Sequence, residues 1–139
     1  LDVMENTRSH NEVMDLDSPD ARKVMAKALM KLFDQWRIDN NTQLNLLGLS
    51  SNSRSLLNRY RRGDQGIPTS RDAMDRAGWL LAIHKALRLL FPHNEALRKS
   101  WVNRKNSAFD NQTPLEYMTE RGIIGLANVS RYLDFQRGR

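Results

Sequence analysis

The amino-acid sequence predicts an all-α protein in which an N-terminal helical lobe and a small C-terminal helical lobe pack on one long central helix. Apolar residues recur at three- and four-residue spacing in several stretches of the 139-residue chain, which is the period of an amphipathic helix. Helix-start signals such as Ser18-Pro19 and Thr113-Pro114-Leu115-Glu116 precede these stretches. No segment shows the regular alternation of a half-buried β-strand. Helices are therefore expected throughout.

The composition is that of a soluble globular chain, with 40% apolar and 27% charged residues. Cysteine is absent, which excludes disulfides and thiol catalysis, and no apolar run is long enough to cross a bilayer. We therefore expect no membrane partner and a cytoplasmic location. The net charge of +6 is uneven, because residues 1–20 are acidic and the rest of the chain is basic. A basic body suggests nucleic acid as a partner, and a merely solvated basic surface is the open alternative.

The N-terminal lobe is expected to span residues 18–66, after a flexible acidic segment at residues 1–17. Its first helix is predicted to begin at Pro19, with Ser18 as the N-cap, and to run to about Ile38. Trp36 lies on the apolar face of this helix, so a place in the core is expected for it.

Two short helices joined by a glycine turn follow, and they match a helix-turn-helix. The first is predicted to be capped by Thr42 and ended by Gly48, and the second covers the basic segment 54–62. Arginine neutralises phosphates and bonds to guanine, while asparagine can pair with adenine. The candidate DNA-binding residues are the polar side chains in the turn and on the second helix, namely Ser51, Asn52, Ser53, Arg54, Asn58, Arg59, Arg61 and Arg62.

Two observations keep this interpretation open. A helical hairpin with a solvated basic face would have the same pattern. In addition, the apolar position expected about six residues after Gly48 is occupied by Arg54, so aligning Leu57 instead implies a turn that is about three residues longer. The sequence thus leaves open whether the second helix reaches base edges.

The central helix is predicted from about Arg71 to Leu90, after a glycine- and proline-rich boundary at 63–68 and a start signal at Thr69 with Asp72. Its apolar stripe is wider than one neighbouring helix needs, so we expect contact with a second lobe or a second copy of the chain. His84 lies on that stripe and is interpreted as a hydrogen-bonded core histidine rather than a ligand or base.

The C-terminal segment, residues 67–139, is expected to hold short helices around one long loop. Asn94 begins a short helix, and the loop after Trp101 carries Ala108-Phe109, an apolar pair that must be buried. The helix from Thr113 is predicted to stop at Arg121-Gly122, before a final helix that runs to about Gln136. Because a loop on a rigid scaffold commonly carries binding residues, this loop is a candidate site.

No catalytic constellation is evident in the sequence. The three histidines lie in unrelated contexts without metal-ligand spacing, and no phosphate-cradling glycine loop follows a strand. Glu116 and Asp72 are better explained as helix caps. We therefore expect a binding protein without catalytic residues, metal or cofactor.

The segment from about Leu80 to Gly138 resembles the toxin-binding domain of the Xre/MbcA/ParS antitoxin family. The residues that carry this resemblance are Leu90-Phe91, Trp101-Val102, Asn106, Ala108, Thr113-Pro114-Leu115-Glu116, Gly122, Gly125, Val129 and Leu133. Upstream, Leu46-Leu47-Gly48 with Arg59-Tyr60-Arg61-Arg62-Gly63 resembles the family's Xre-type helix-turn-helix. The family tends to Leu-Gly-Gly where this chain has Phe109-Asp110-Asn111. Because Asp and Asn tolerate a positive φ, a similar turn is expected.

The resemblance implies a bacterial type II antitoxin. Such a protein would dimerise, cover the active-site entrance of a RES-domain toxin that consumes NAD, and often repress its own operon by binding operator DNA. The toxin-binding residues that the resemblance implies are Trp101, Arg104, Lys105, Asn106, Arg131, Arg137 and Arg139. For the terminal arginines, a solvated tail is the alternative. The competing function is that of a stand-alone dimeric helix-turn-helix regulator without a toxin partner.

Overall fold

The computed structural model describes residues 15–138, and within this range the chain forms six α-helices and two short 3-10 turns. The helices are α1 (Pro19–Trp36), α2 (Asn40–Leu47), α3 (Arg54–Arg62), α4 (Arg71–Leu90), α5 (Glu95–Ser100) and α6 (Pro114–Arg137). The 3-10 turns are Trp101–Asn103 and Ser107–Phe109. Among these residues, β pairing is limited to one bridge between Asn106 and Gln112. The all-α class is confirmed, and most of the predicted acidic segment lies outside the described residues.

Two helix starts form as predicted. The Ser18 hydroxyl accepts a hydrogen bond of 3.1 Å from the Ala21 N–H at the start of α1. At the start of α6, Thr113 and Glu116 bond to each other's backbone N–H groups, both at 3.0 Å, in a complete capping box.

Two other predicted caps are wrong. α2 begins one turn earlier than expected, because the Asp39 carboxylate accepts from the Thr42 N–H at 2.8 Å. The hydrogen bonds from Thr42 also lower the pKa of Asp39. Likewise, α4 is capped by Ser70 rather than Thr69, since Ser70 directly precedes the first helical residue and accepts from the Ala73 N–H at 3.2 Å.

The core is one hydrophobic cluster with α4 at its centre. α4 packs against α1, α2 and α6, and α2 also contacts α6 directly. Buried residues of both predicted lobes belong to this cluster, including Phe33 of α1, Tyr60 of α3, Leu80 of α4 and Leu126 of α6. None of the helices formed by residues 15–138 combines the length and apolar character needed to span a bilayer.

His84 differs from the sequence prediction. It is only half-buried, and its imidazole forms no hydrogen bond with any residue between 15 and 138. Burial lowers the pKa of His84 first, and the positive charges of Arg88 and Arg98 lower it further. The apolar stripe of α4 is instead completed by Ile83 and Ala86, which are fully buried beside it.

The predicted stop at Gly122 appears as a sharp break inside α6. Gly122 has φ 62° and ψ −142°, a conformation open essentially to glycine alone, while helical geometry continues on both sides. After this break, the second half of α6 still buries Leu126, Val129 and Leu133 in the core. A second glycine requirement occurs at Gly48, where φ is +73° and an added Cβ would lie 2.7 Å from Nε of Arg76.

Candidate binding surfaces

The first candidate is the basic surface formed by α3 and the turn at residues 51–53. Leu57 and Tyr60 face inward and are fully buried where α3 packs on α1. The opposite side of α3 exposes its polar residues, which are Arg54, Asn58, Arg59 and Arg62. Apart from Arg61, the exposed polar residues and the buried Leu57 and Tyr60 lie on the faces that the spacing predicted.

The turn before α3 is long. It spans residues 48–53, whereas a typical helix-turn-helix turn has about three or four residues. Ser51 and Asn52 are exposed in this turn. Ser53 occupies the N-cap position of α3, but its side chain forms no capping hydrogen bond. All three candidate side chains of the turn thus lie next to the first residue of α3, and the start of this helix has no side-chain capping hydrogen bond.

Arg61 is not available in the way that the helix pattern predicted. Its Nη2 atom lies 3.3 Å from Oδ1 of Asp34 and 3.4 Å from Oε1 of Gln43, and its side chain is 33% exposed. Gln43 is buried and donates a 2.9 Å hydrogen bond to the Ile38 carbonyl. Arg61 therefore fixes α3 to α1 and α2, and only its remaining nitrogens are open to a partner.

The other two arginines near the end of α3 form exposed contacts. Arg62 Nε lies 2.8 Å from Oδ2 of Asp64, and Arg59 Nη1 donates to Gln65 at 3.3 Å. Exposed pairs of this kind contribute roughly 0–1 kcal/mol, so a phosphate group can displace them at little cost.

The second candidate is the loop surface, formed by residues 101–113. Phe109 is its buried anchor, with ring centroids 4.9 Å from Tyr117 and 5.1 Å from Tyr132. The half-buried Trp101 packs 6.3 Å from both Phe109 and Tyr132. The predicted burial of Phe109 is confirmed, whereas its neighbour Ala108 is exposed.

The loop backbone is held by its own hydrogen bonds. Asn106 N–H donates to the Gln112 carbonyl at 3.0 Å, and the Asn106 side chain accepts from the Ala108 N–H at 2.9 Å. Asp110 and Asn111 have φ of 57° and 59°, as expected for residues in place of two glycines. Asp110 also pairs with Arg121 at 3.0 Å. The loop is therefore ordered before any partner arrives.

Asn103 forms a hydrogen bond between the loop and α1 that the sequence did not predict. Its Nδ2 atom donates a 2.8 Å hydrogen bond to the carbonyl of Trp36 at the end of α1. The partner lies 67 residues away in the chain, and no local pattern signals such a contact.

The predicted toxin-binding residues of the loop are of two kinds, those that stabilise the loop and those that are exposed. Trp101 and Asn106 stabilise the loop, through aromatic packing and through hydrogen bonds. Lys105 is exposed, and Arg104 is exposed beside it with its Nε donating to Ser100 Oγ at 3.1 Å. The pKa of Glu116 is lowered by its hydrogen bonds from Thr113 and, to a smaller extent, by the charge of Lys105.

The predicted residues on α6 have contacts of a different kind. The exposed Arg131 guanidinium lies 5.6 Å from the ring centroid of Trp79 on α4. Arg137 is exposed and pairs with Asp134 at 3.3 Å. Arg139 lies outside the described residues. Among residues 15–138, no group of three or more His, Asp or Glu side chains comes together as a metal site would require.

Comparison with known proteins gives two family matches and one relative. Residues 15–82 match the antitoxin Xre-like helix-turn-helix domain, and residues 86–139 match the antitoxin Xre/MbcA/ParS C-terminal toxin-binding domain. "Uncharacterized protein y4oB" of Sinorhizobium fredii (strain NBRC 101917 / NGR234) is 33% identical over 123 residues, which are 87% of this chain and 92% of that protein. The two matched segments meet inside α4, whereas the lobe boundary predicted near residues 63–68 stays a prediction.

Proposed function

This chain belongs to the Xre/MbcA/ParS family of antitoxins, and from that premise we propose that it neutralises a RES-domain toxin, an NAD-consuming enzyme, by covering the toxin's active-site entrance. The family places a helix-turn-helix domain before a toxin-binding domain, and the chain is accordingly an antitoxin of a toxin–antitoxin system. The identity of the toxin and the mode of inhibition are the proposal.

The main support is the pre-ordered loop surface. Phe109 and Asn103 fix the loop to α6 and α1, while Arg104 and Lys105 face solvent. A loop that is already ordered loses little conformational entropy on binding. Its cations suit an entrance lined by acidic groups. The contact set proposed for the toxin is Trp101, Arg104, Lys105, Asn106, Arg131, Arg137 and Arg139.

The first test is co-expression with the neighbouring reading frame. That frame alone is expected to deplete cellular NAD and stop growth, and this chain is expected to restore both and to co-purify with its product. Lys105→Glu is expected to weaken the complex by about tenfold or more, because it reverses a charge in the contact. Lys31→Glu, at an exposed position on α1, is the matched control and should leave the affinity unchanged.

Three outcomes would count against this proposal. If the neighbouring frame is harmless, or if no complex forms, the stand-alone dimeric transcriptional regulator becomes the better interpretation. If the complex forms but Lys105→Glu and Lys31→Glu behave alike, the loop surface is not the toxin contact.

We also propose that the basic surface binds operator DNA and that the chain represses its own operon. This rests on the exposed row of Arg54, Asn58, Arg59 and Arg62 along α3. Arg59→Ala or Arg62→Ala should weaken binding to the chain's own promoter and reduce the salt-dependence slope by about one unit each. Arg137→Ala, at the end of α6, is the control. Unchanged affinity in both α3 variants would place the DNA contact elsewhere or remove it.

A homodimer is the third part of the proposal. The supporting observation is that α4 and α6, which pack on each other, leave Trp79 half-buried and Ile124 exposed. A large apolar side chain left in water suggests a surface that another copy covers.

A further inference from the structure

A polar cleft lies between α1, α4 and α5, and none of its lining residues is among those assigned above to toxin or DNA. Its volume is about 300 Å³, and it is lined by Gln35, His84, Leu87, Arg88, Glu95, Arg98 and Lys99. We propose that this α1–α4–α5 cleft binds a small phosphate-type anion, of the size of inorganic phosphate or pyrophosphate. The proposal does not depend on the toxin or on DNA.

The charges in the cleft do not balance. Lys99 Nζ lies 2.8 Å from Oε1 of Glu95, and the hydrogen bond from Lys99 lowers the pKa of that carboxyl group. This pair is neutral as a unit. The guanidinium groups of Arg88 and Arg98 form no ion pair or hydrogen bond with any residue between 15 and 138. The charge of Arg98 also acts on Glu95 and lowers its pKa, so this one carboxylate is shared by three cations, and the lining keeps an excess of positive charge.

The same two arginines also line an adjoining depression. Its lining adds a third cation, Lys85, and no carboxylate. Concave surfaces with low-dielectric walls focus the field of like charges, so a counter-ion is favoured there. The planar guanidinium fork matches the oxygens of a phosphate, with two parallel hydrogen bonds available from each arginine.

The pKa of His84 depends on the charges inside the cleft. The groups that face it are Arg88 on its own helix, the charged residues Glu95, Arg98 and Lys99 of α5, and the neutral Gln35 of α1. After burial, the charges of Arg88 and Arg98 are the causes that hold the pKa of His84 below its ordinary value. Both guanidinium groups therefore act on the same point, and an anion seated between them would offset both.

The binding test uses the full chain and titration calorimetry with pyrophosphate and with inorganic phosphate, against chloride at equal ionic strength. Arg88→Gln and Arg98→Gln are each expected to lower the affinity by about tenfold or more, the effect of losing one charge-assisted contact. Arg71→Gln is the matched control, since Arg71 is exposed on α4 and lies outside the cleft. Its affinity should equal that of the wild type.

The second readout is the pKa of His84, followed by nuclear magnetic resonance and assigned with the His84→Gln variant. Pyrophosphate should raise this pKa, because a bound anion stabilises the imidazolium against the two arginines. In Arg98→Gln the pKa of His84 should start higher and respond less.

Each alternative outcome overturns the proposal. No heat of binding together with no His84 shift would mean that the cleft takes no anion. An equal loss of anion affinity in Arg71→Gln would mean that the anion responds to the overall positive charge of the protein and not to the cleft. If duplex DNA, but not pyrophosphate, depended on Arg88 and Arg98, the cleft would be an extension of a DNA-binding surface rather than a small-anion site.

Discussion

Tyr60 and Tyr117 show how differently two buried tyrosine hydroxyls are treated in this core. Tyr60 is fully buried, and its Oη has no hydrogen-bond partner among residues 15–138. Tyr117 instead accepts a 3.0 Å hydrogen bond from Asn128 Nδ2. A buried hydroxyl without a partner costs about 1–3 kcal/mol of desolvation, which the packing of the Tyr60 ring must offset.

We predict that Tyr60→Phe leaves the free energy of unfolding unchanged or raises it by up to about 1 kcal/mol, because it removes an unsatisfied polar atom. Tyr117→Phe is the matched control and should lower it by about 1 kcal/mol, since it leaves the Asn128 amide without its acceptor. Urea denaturation at pH 7 measures both. A clear loss of stability in Tyr60→Phe would show that its hydroxyl is bonded.

Tyr60 also gives a pH prediction with a definite sign. Desolvation raises its pKa above the ordinary value of 10.0, so the folded chain keeps the phenol neutral while the unfolded chain ionises. The free energy of unfolding therefore does not depend on this group below about pH 10, and it falls as the pH rises above 10 through the folded pKa. Tyr60→Phe should lack this component of the alkaline loss of stability. Parallel curves for the two proteins would contradict it.

For single residues, the sequence predicts which face of a helix a side chain occupies, but not which residues of other helices it contacts. Leu57 and Tyr60 are buried as their spacing indicates. The spacing that placed Arg61 outside could not reveal Asp34, which lies 27 residues earlier and on another helix. Half-exposed positions at the edge of a helix face are decided by the neighbouring element, and the sequence of one helix does not contain that information.

Among the elements, prediction succeeds where several start or stop signals coincide. The start of α6 combines a hydroxyl cap, a proline and a glutamate, and it forms as expected. At α2 and α4 two capping residues compete, and the structure uses Asp39 and Ser70 in place of Thr42 and Thr69. The carboxylate of Asp39 is a stronger acceptor than a hydroxyl, and Ser70 sits one residue closer to its helix.

Gly122 carries the prediction that belongs to α6. Gly122→Ala should lower the free energy of unfolding by about 1–3 kcal/mol, because φ 62° and ψ −142° are strained for any residue with a Cβ. The cause is the backbone rather than crowding, since the nearest atom to an added Cβ is Nη2 of Arg76 at 3.8 Å.

Gly78→Ala is the control for this experiment. Gly78 is helical, and nothing lies within 4 Å of an added Cβ, so alanine should be neutral or stabilising by up to about 1 kcal/mol. Both variants are unfolded at the lowest protein concentration that gives a signal, so that self-association does not contribute. Equal effects of the two substitutions would mean that the Gly122 backbone relaxes to an ordinary helix.

Across the whole molecule, the two matched domains share a core rather than touching at a boundary. α4 contributes to both matches, and Arg76 on α4 donates to the carbonyls of Asn45 and Leu46 at the end of α2. The sequence predicted the long helix between two lobes. It could not predict that α2 also contacts α6, because α2 ends at Leu47 and α6 begins only at Pro114. The basic surface and the loop surface therefore stand on one common scaffold.

The proposed homodimer is tested on the surface where α4 and α6 lie side by side. Ile124 is 66% exposed and lies about two turns before Arg131, whose guanidinium covers Trp79. In a two-fold dimer the same patch occurs on both copies, so one substitution acts twice. Burying an isoleucine side chain is worth roughly 1.5–3 kcal/mol, and a lysine there would also bring two like charges together.

Ile124→Lys is therefore expected to raise the dimer dissociation constant at least about a hundredfold, as measured by sedimentation equilibrium. Val24→Lys is the control, because Val24 on α1 is 67% exposed and belongs to neither α4 nor α6. That variant should remain dimeric. A wild-type chain that sediments as a monomer would reject the homodimer, and a dimer that tolerates Ile124→Lys would place its interface on another face.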